Sequence, residues 1–161
     1  MKVGIIGFAS SGKSTLYRAA ALGMAKGDVT SVPVPDERFD RIVSQVKPKK
    51  ITPASVMLHD DLDPAQGTGK MFSQRFLDGA RKMDVLLHVV RAFDAPAAHY
   101  HATIDPPRDQ ESVDVELILA DLQMVENRLE RLAKSLTARN PGSPDYIEKT
   151  VFERLKSPLE E

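Results

Sequence analysis

The chain has 161 residues, 42% of them hydrophobic and 28% charged, with 22 Lys and Arg against 23 Asp and Glu and a formal net charge of -1. That length supports one core domain with a helical appendage, and the balanced charge gives no reason to expect direct DNA binding. The lack of cysteine excludes disulfides, thiolate metal sites and cysteine nucleophiles and fits a cytoplasmic setting, while no apolar run reaches about 18 residues, so no membrane partner is expected.

Residues 1–15 read MKVGIIGFASSGKST. An apolar β-run leads into Gly7-x-x-x-x-Gly12-Lys13-Ser14, and a helical pattern follows, which is the strand-to-helix setting of a phosphate-binding loop. Glycines let successive backbone N–H groups turn inward around an anion, and the helix behind them adds the positive end of its dipole. Lys13 is the residue to reach β- and γ-phosphates, and Ser14 offers its hydroxyl to a Mg2+ that bridges phosphate oxygens. The glycine-punctuated run fits a secretory signal poorly.

The first helix is expected from Lys13 to about Gly23, followed by a polar loop over 23–30 and a β-run over 31–34. Asp36 is a cap for a helix carrying Phe39, Ile42, Val43 and Val46 at helical spacing, and Pro48 closes it. Lys47-Pro48-Lys49-Lys50 reads as a solvated turn. Residues 54–59 form a short strand that runs into Asp60, Asp61 and Asp63, and acidic groups at a strand's carboxyl end sit where open α/β sheets bind ligands. Gly67 and Gly69 lead into a helix with Met71, Phe72, Phe76 and Leu77, and residues 84–90 (DVLLHVV) suit a strand buried on both faces. The alternation predicts a three-layer α/β core with a mostly parallel sheet over 1–107, ending in a loop over 92–107.

The remainder, 108–161, is expected to be helical. Val115, Ile118, Leu122, Val125, Leu129, Leu132 and Leu136 step by three and four as a heptad seam. The seam can pack on itself as a hairpin or cover the sheet, and its length favours the hairpin. Ser143 caps a second helix with Pro144 in its first turn and Ile147, Val151 and Leu155 on one face. Among the histidines, His59 and Asp60 point to opposite faces of a strand and cannot readily share a metal. His99 and His101 read as a surface pair, and His88 as a core residue. Arg75, Arg81 and Arg91 are too scattered for the arginine-rich lid of a small-molecule kinase.

Four stretches, GFASSGKSTL at 7–16, SVPVPDERFD at 31–40 with KPKKITP at 47–53, DVLLHVVRAF at 84–93 and IDPPRDQESVDVELILADLQMVENRLERLAK at 104–134, resemble the YchF (Obg-like ATPase) family of P-loop NTPases. The resemblance implies an NTPase core with a coiled-coil arm inserted before the last core strands and a C-terminal TGS domain. The family's loop matches Ser10, Ser11, Gly12, Lys13, Ser14 and Thr15, and Asp60 takes the place of the aspartate that holds Mg2+ through a water. Lys13 and Asp60 are therefore the catalytic expectations, Ser14 and Asp60 the metal ligands. ATP or GTP with Mg2+ is the implied ligand, and the ribosome, or another protein engaged through the helical arm, the implied macromolecular partner.

Several positions depart from that pattern. The segment after the first helix is about ten residues short of the family pattern and lacks a metal-binding threonine unless Thr30 substitutes. Asp63 replaces the glycine that meets the γ-phosphate, which sets like charges together, and Pro64 stands where members carry a hydrophobic residue in place of the catalytic glutamine. The base-reading loop would lie beyond the arm, Asn127 to Glu130 match its letters only inside the heptad helix, and the TGS domain is expected to be absent. The expectation is triphosphate binding with slow hydrolysis; the alternative is an interaction module that keeps the fold but not turnover.

Overall fold

The computed structural model describes residues 1–23, 25–62, 72–96, 98–135 and 137–160. Its elements are β1 (Lys2–Ile6), α1 (Lys13–Ala20), β2 (Val29–Pro33), α2 (Glu37–Val46), β3 (Ser55–His59), α3 (Gln74–Ala80), β4 (Val85–His88), α4 (Pro106–Lys134), a 3-10 turn (Thr137–Arg139) and α5 (Pro144–Glu160). The chain divides into two compact units, Met1–Gln110 and Glu111–Glu161, with the boundary inside α4.

The first unit is an α/β fold on a four-stranded sheet in the order β2-β3-β1-β4. β1 is central and parallel to both neighbours, with Gly4 opposite His59 of β3 and Leu86 of β4. The sheet is mixed, because β2 runs antiparallel to β3. β2 is an edge strand, which is where Pro33, with no N–H to give, can be accommodated.

The core gathers on β1 through Val3, Ile5 and Ile6 together with Tyr17, Leu62, Phe72, Phe76 and Ala80. Leu62 is seated against two glycines: a methyl group added at Gly4 would meet its Cδ1 at 2.5 Å, and one at Gly79 its Cδ2 at 2.6 Å. Phe72 stacks on Phe76 with ring centroids 4.2 Å apart. Side chains of this size each contribute about 1.5–3 kcal/mol when buried.

β4 departs from expectation. It is not buried on both faces: Val85, Leu86 and Leu87 are all exposed. It lies at the sheet edge with β1 on one side, whereas continuous apolar runs mark strands inside a covered sheet. His88 is half-buried. α2 departs in the same sense, since Asp36 caps it as expected by accepting from the N–H groups of Arg38 and Phe39 at 2.9 and 3.4 Å, yet none of its residues is buried. α3 starts later than expected, at a Ser73 cap. The glycines expected to lead into it, and Met71, lie outside the described residues, as does Leu136 of the heptad seam.

In the second unit Val125 and Leu132 of the seam are buried while Val115 and Ile118 are exposed. Ser143 caps α5 by accepting from Tyr146 N at 3.1 Å. Ile147, Val151 and Leu155 are exposed, and two ion pairs join α5 to α4. Arg128 grips Glu148 with two bonds of 2.7 Å, and Lys156 reaches Glu126 at 2.9 Å. No described helix is long and apolar enough to cross a membrane.

Candidate functional site: the loop between β1 and α1

The loop hangs from the carboxyl end of β1, one of the two strands bonded on both sides. Gly7 has φ 141°, and a Cβ there would meet the Val89 carbonyl oxygen at 2.3 Å; only glycine satisfies both restrictions. Ser10 is left-handed at φ 60°. Gly12, at φ 104°, caps α1 through its backbone alone, so the first-turn N–H groups keep their capacity for a ligand. No acidic residue stands in that turn.

Lys13 is buried. Its ammonium folds over the loop and donates to the carbonyl oxygens of Gly7 at 3.0 Å and Phe8 at 2.8 Å. The Ser11 side chain is 2% exposed, and its hydroxyl has no hydrogen-bond partner. An orphaned buried donor costs about 1–3 kcal/mol, and this one lies 3.1 Å from where a Gly7 Cβ would stand. Ser14 and Thr15 are exposed in the first turn of α1.

Asp60 follows β3, beside β1, and its N–H donates to the Asp28 carbonyl at 2.8 Å. Tyr17, whose hydroxyl donates to Gly27 O at 3.0 Å, has its pKa raised first by burial and then by the charges of Asp28, Asp60 and Asp61. Among the described residues no three His, Asp or Glu side chains are grouped so as to hold a metal ion; Asp60 and the Ser14 hydroxyl are hard oxygen donors of the type that suits Mg2+. His59 pairs with Asp61 at 3.3 Å, two residues on and hence on its own side of the strand. Thr30 lies within β2 opposite Leu58. Asp63 and Pro64 lie outside the described residues.

Sequence reasoning missed the frame around the loop. The stretch after β4 approaches it at three points: Val89 N–H bonds Ile6 O at 2.8 Å, the Phe93 ring stands 3.8 Å from where a Gly12 Cβ would be, and Arg91 reaches Ser10. Arg91, set aside as scattered, is 2% exposed. Its guanidinium donates to four carbonyl oxygens, those of Phe93 (3.1 Å), Ser10 (3.3 Å), Ala98 (3.2 Å) and Ala95 (3.2 Å). It also lies over the Phe93 and Tyr100 rings at 5.1 and 4.9 Å. The available signal was a lone cation closing the apolar run LLHVVR.

His101, read as a surface residue, stacks on Phe8 of the loop at 4.1 Å. Its Nε2 lies 3.4 Å from Asp109, which is 1% exposed. Arg108 donates twice to Asp109, at 3.0 and 2.7 Å, and the Tyr100 hydroxyl donates at 2.7 Å. Burial pushes the Asp109 carboxyl up, but the hydrogen bonds from Arg108 and Tyr100 outweigh it and hold its pKa below the usual range. Tyr100 is pushed up by burial and by its bond to that carboxylate.

No family model matches the chain. It is similar to the ribosome-binding ATPase YchF of Bacillus subtilis, 32% identical over 99% of this chain and 47% of the relative. It is also similar to the Obg-like ATPase 1 of Schizosaccharomyces pombe, 37% identical over 89% of this chain and 40% of the relative. The solved structure of the Schizosaccharomyces pombe YchF GTPase superposes with a TM-score of 0.81 at 32% identity, covering 99% of this chain and 47% of that one. The chain thus spans about half the length of the relatives it matches. Over that span sequence and fold agree in their likeness to the YchF and Obg-like ATPases.

Proposed function

We propose that this chain binds a nucleoside triphosphate, ATP or GTP, with Mg2+ and hydrolyses it slowly. The observation that carries the reading is the Lys13 ammonium held by the Gly7 and Phe8 carbonyls across a loop that leads into the N-terminus of α1, where no side chain caps the first-turn N–H groups. Gly7, Ser10, Ser11, Gly12, Lys13, Ser14 and Thr15 surround the phosphates: backbone N–H groups and Lys13 take up the charge on the β- and γ-oxygens. Ser14 and Asp60 would hold the Mg2+, which when bound would neutralise charge on the phosphate oxygens.

Catalysis in this reading is electrostatic positioning. Lys13 and the loop hold the γ-phosphoryl group for in-line attack by water. The slow rate in this reading follows from the sequence, which carries Pro64 where the resemblance would place the water-orienting glutamine of other P-loop NTPases. Isothermal titration with ATP, GTP and their diphosphates, with and without Mg2+, tests the reading. Lys13→Ala should weaken binding about a hundredfold, the loss of charge-assisted contacts to phosphate; unchanged binding overturns the assignment.

The Bacillus subtilis relative is named for ribosome binding, and we extend that partner to this chain. The nucleotide core occupies 1–107, and the helices of 108–161 act as a coiled-coil arm for docking. The whole chain should cosediment with ribosomes; a chain left entirely in the supernatant refutes the extension.

A further inference from the structure

We propose that Arg91 is a positioning residue for phosphate binding: its buried guanidinium holds the Ser10 carbonyl and keeps the loop in its anion-accepting form. This rests on the nucleotide-binding reading above and adds to it a residue that the glycine-rich motif does not contain.

Two observations carry the inference. Ser10 is a non-glycine residue at φ 60°, a conformation that costs an L-residue roughly 1–2 kcal/mol. Relaxing it would reorient the next peptide plane, which carries the Ser10 carbonyl and the Ser11 N–H together. The bond from Arg91 Nη1 to that carbonyl opposes the relaxation. The carbonyls of Phe93, Ala95 and Ala98 fix the guanidinium from its other sides.

The second observation is the charge. Arg91 is 2% exposed, and its bonds run to neutral carbonyls, with no carboxylate partner among the described residues. A buried cation without a counter-charge is costly. Here it sits one hydrogen bond from a loop built to receive an anion, and a bound polyphosphate supplies the missing negative charge. Lysine cannot substitute, because its single ammonium cannot span carbonyls that a planar fork reaches on several edges.

The test measures affinity for MgATP and MgGTP by isothermal titration in the unaltered chain, Lys13→Ala, Arg91→Lys and Arg91→Lys combined with Ser10→Gly. Arg91→Lys should bind both nucleotides about tenfold more weakly, the effect of one charged hydrogen bond. Ser10→Gly should restore most of that loss, because glycine takes positive φ without strain, while the lowered thermal midpoint of Arg91→Lys stays low. A purely structural arginine would give no such rescue. Undiminished affinity in Arg91→Lys, or no rescue, overturns the positioning role while loss of binding in Lys13→Ala still upholds the nucleotide site. Failure of the unaltered chain to bind either nucleotide overturns both. Should Arg91→Lys not fold, the Arg91 Nε–H resonance of the unaltered chain decides: a shift on saturation with MgATP supports the role, and an unmoved signal refutes it.

Discussion

The chain contains two strand-to-helix connections of opposite construction. Between β1 and α1, the loop is shaped from outside, by Val89, Arg91 and Phe93 arriving from the far side of the sequence. Between β2 and α2, apart from one bond of Val34 N–H to Ala54 O at 2.9 Å, the geometry is shaped from within. Asp36 caps the helix, Lys47 ends it at φ 46°, and Ile42 and Val46 remain 59% and 68% exposed. The first connection exists because of tertiary packing, the second because of local chemistry, and substitutions should respect that division.

Gly7→Ala should do the most damage, because the new methyl group meets a main-chain oxygen at a φ that disfavours it. A loss of about 3 kcal/mol in urea unfolding is expected; a loss near zero would mean that the frame around the loop yields easily. Asp109→Asn comes next, since it weakens the charged bonds that tie Arg108 and Tyr100 together. The sign of the pH effect follows from the depressed pKa. Asp109 contributes stability above its unfolded pKa, and that contribution fades as pH falls through the lower folded value. The unaltered chain should therefore lose stability at acid pH more steeply than Asp109→Asn, and parallel curves would count against the cluster.

On the other side of the comparison, Asp36→Ala should cost about 1 kcal/mol, the usual worth of a cap, with helix signal falling and nucleotide affinity unaltered. A drop in affinity would show that α2 is not independent of the loop. The smallest change belongs to Ile42→Ser, within about 0.5 kcal/mol because the side chain is already in water. A larger loss would reveal packing that its exposure does not suggest.

The same division explains what could be read from the letters. The Asp36 and Ser143 caps and the order of strands and helices are local patterns, and each was legible. The antiparallel turn of β2 was not, because strand direction depends on which neighbour it meets. Leu86 and Leu87 looked like core for the same reason: apolar content does not say how many sides of a strand are occupied. Ile147, Val151 and Leu155 kept helical spacing yet are exposed, while Glu148 and Lys156, charged and unpromising, form ion pairs with α4. Arg91 is the sharpest case, since a lone arginine acquires meaning only from carbonyls at residues 10, 95 and 98.

The central place of β1 has a consequence for deuterium uptake. Its amides are bonded within a sheet that has a partner strand on each flank, so they should exchange only when the whole first unit unfolds. α2, with no buried residue, should exchange by local opening at far lower cost. The turn after β1 is thus moored to one of the two inner strands, and its anchorage should last as long as the unit itself.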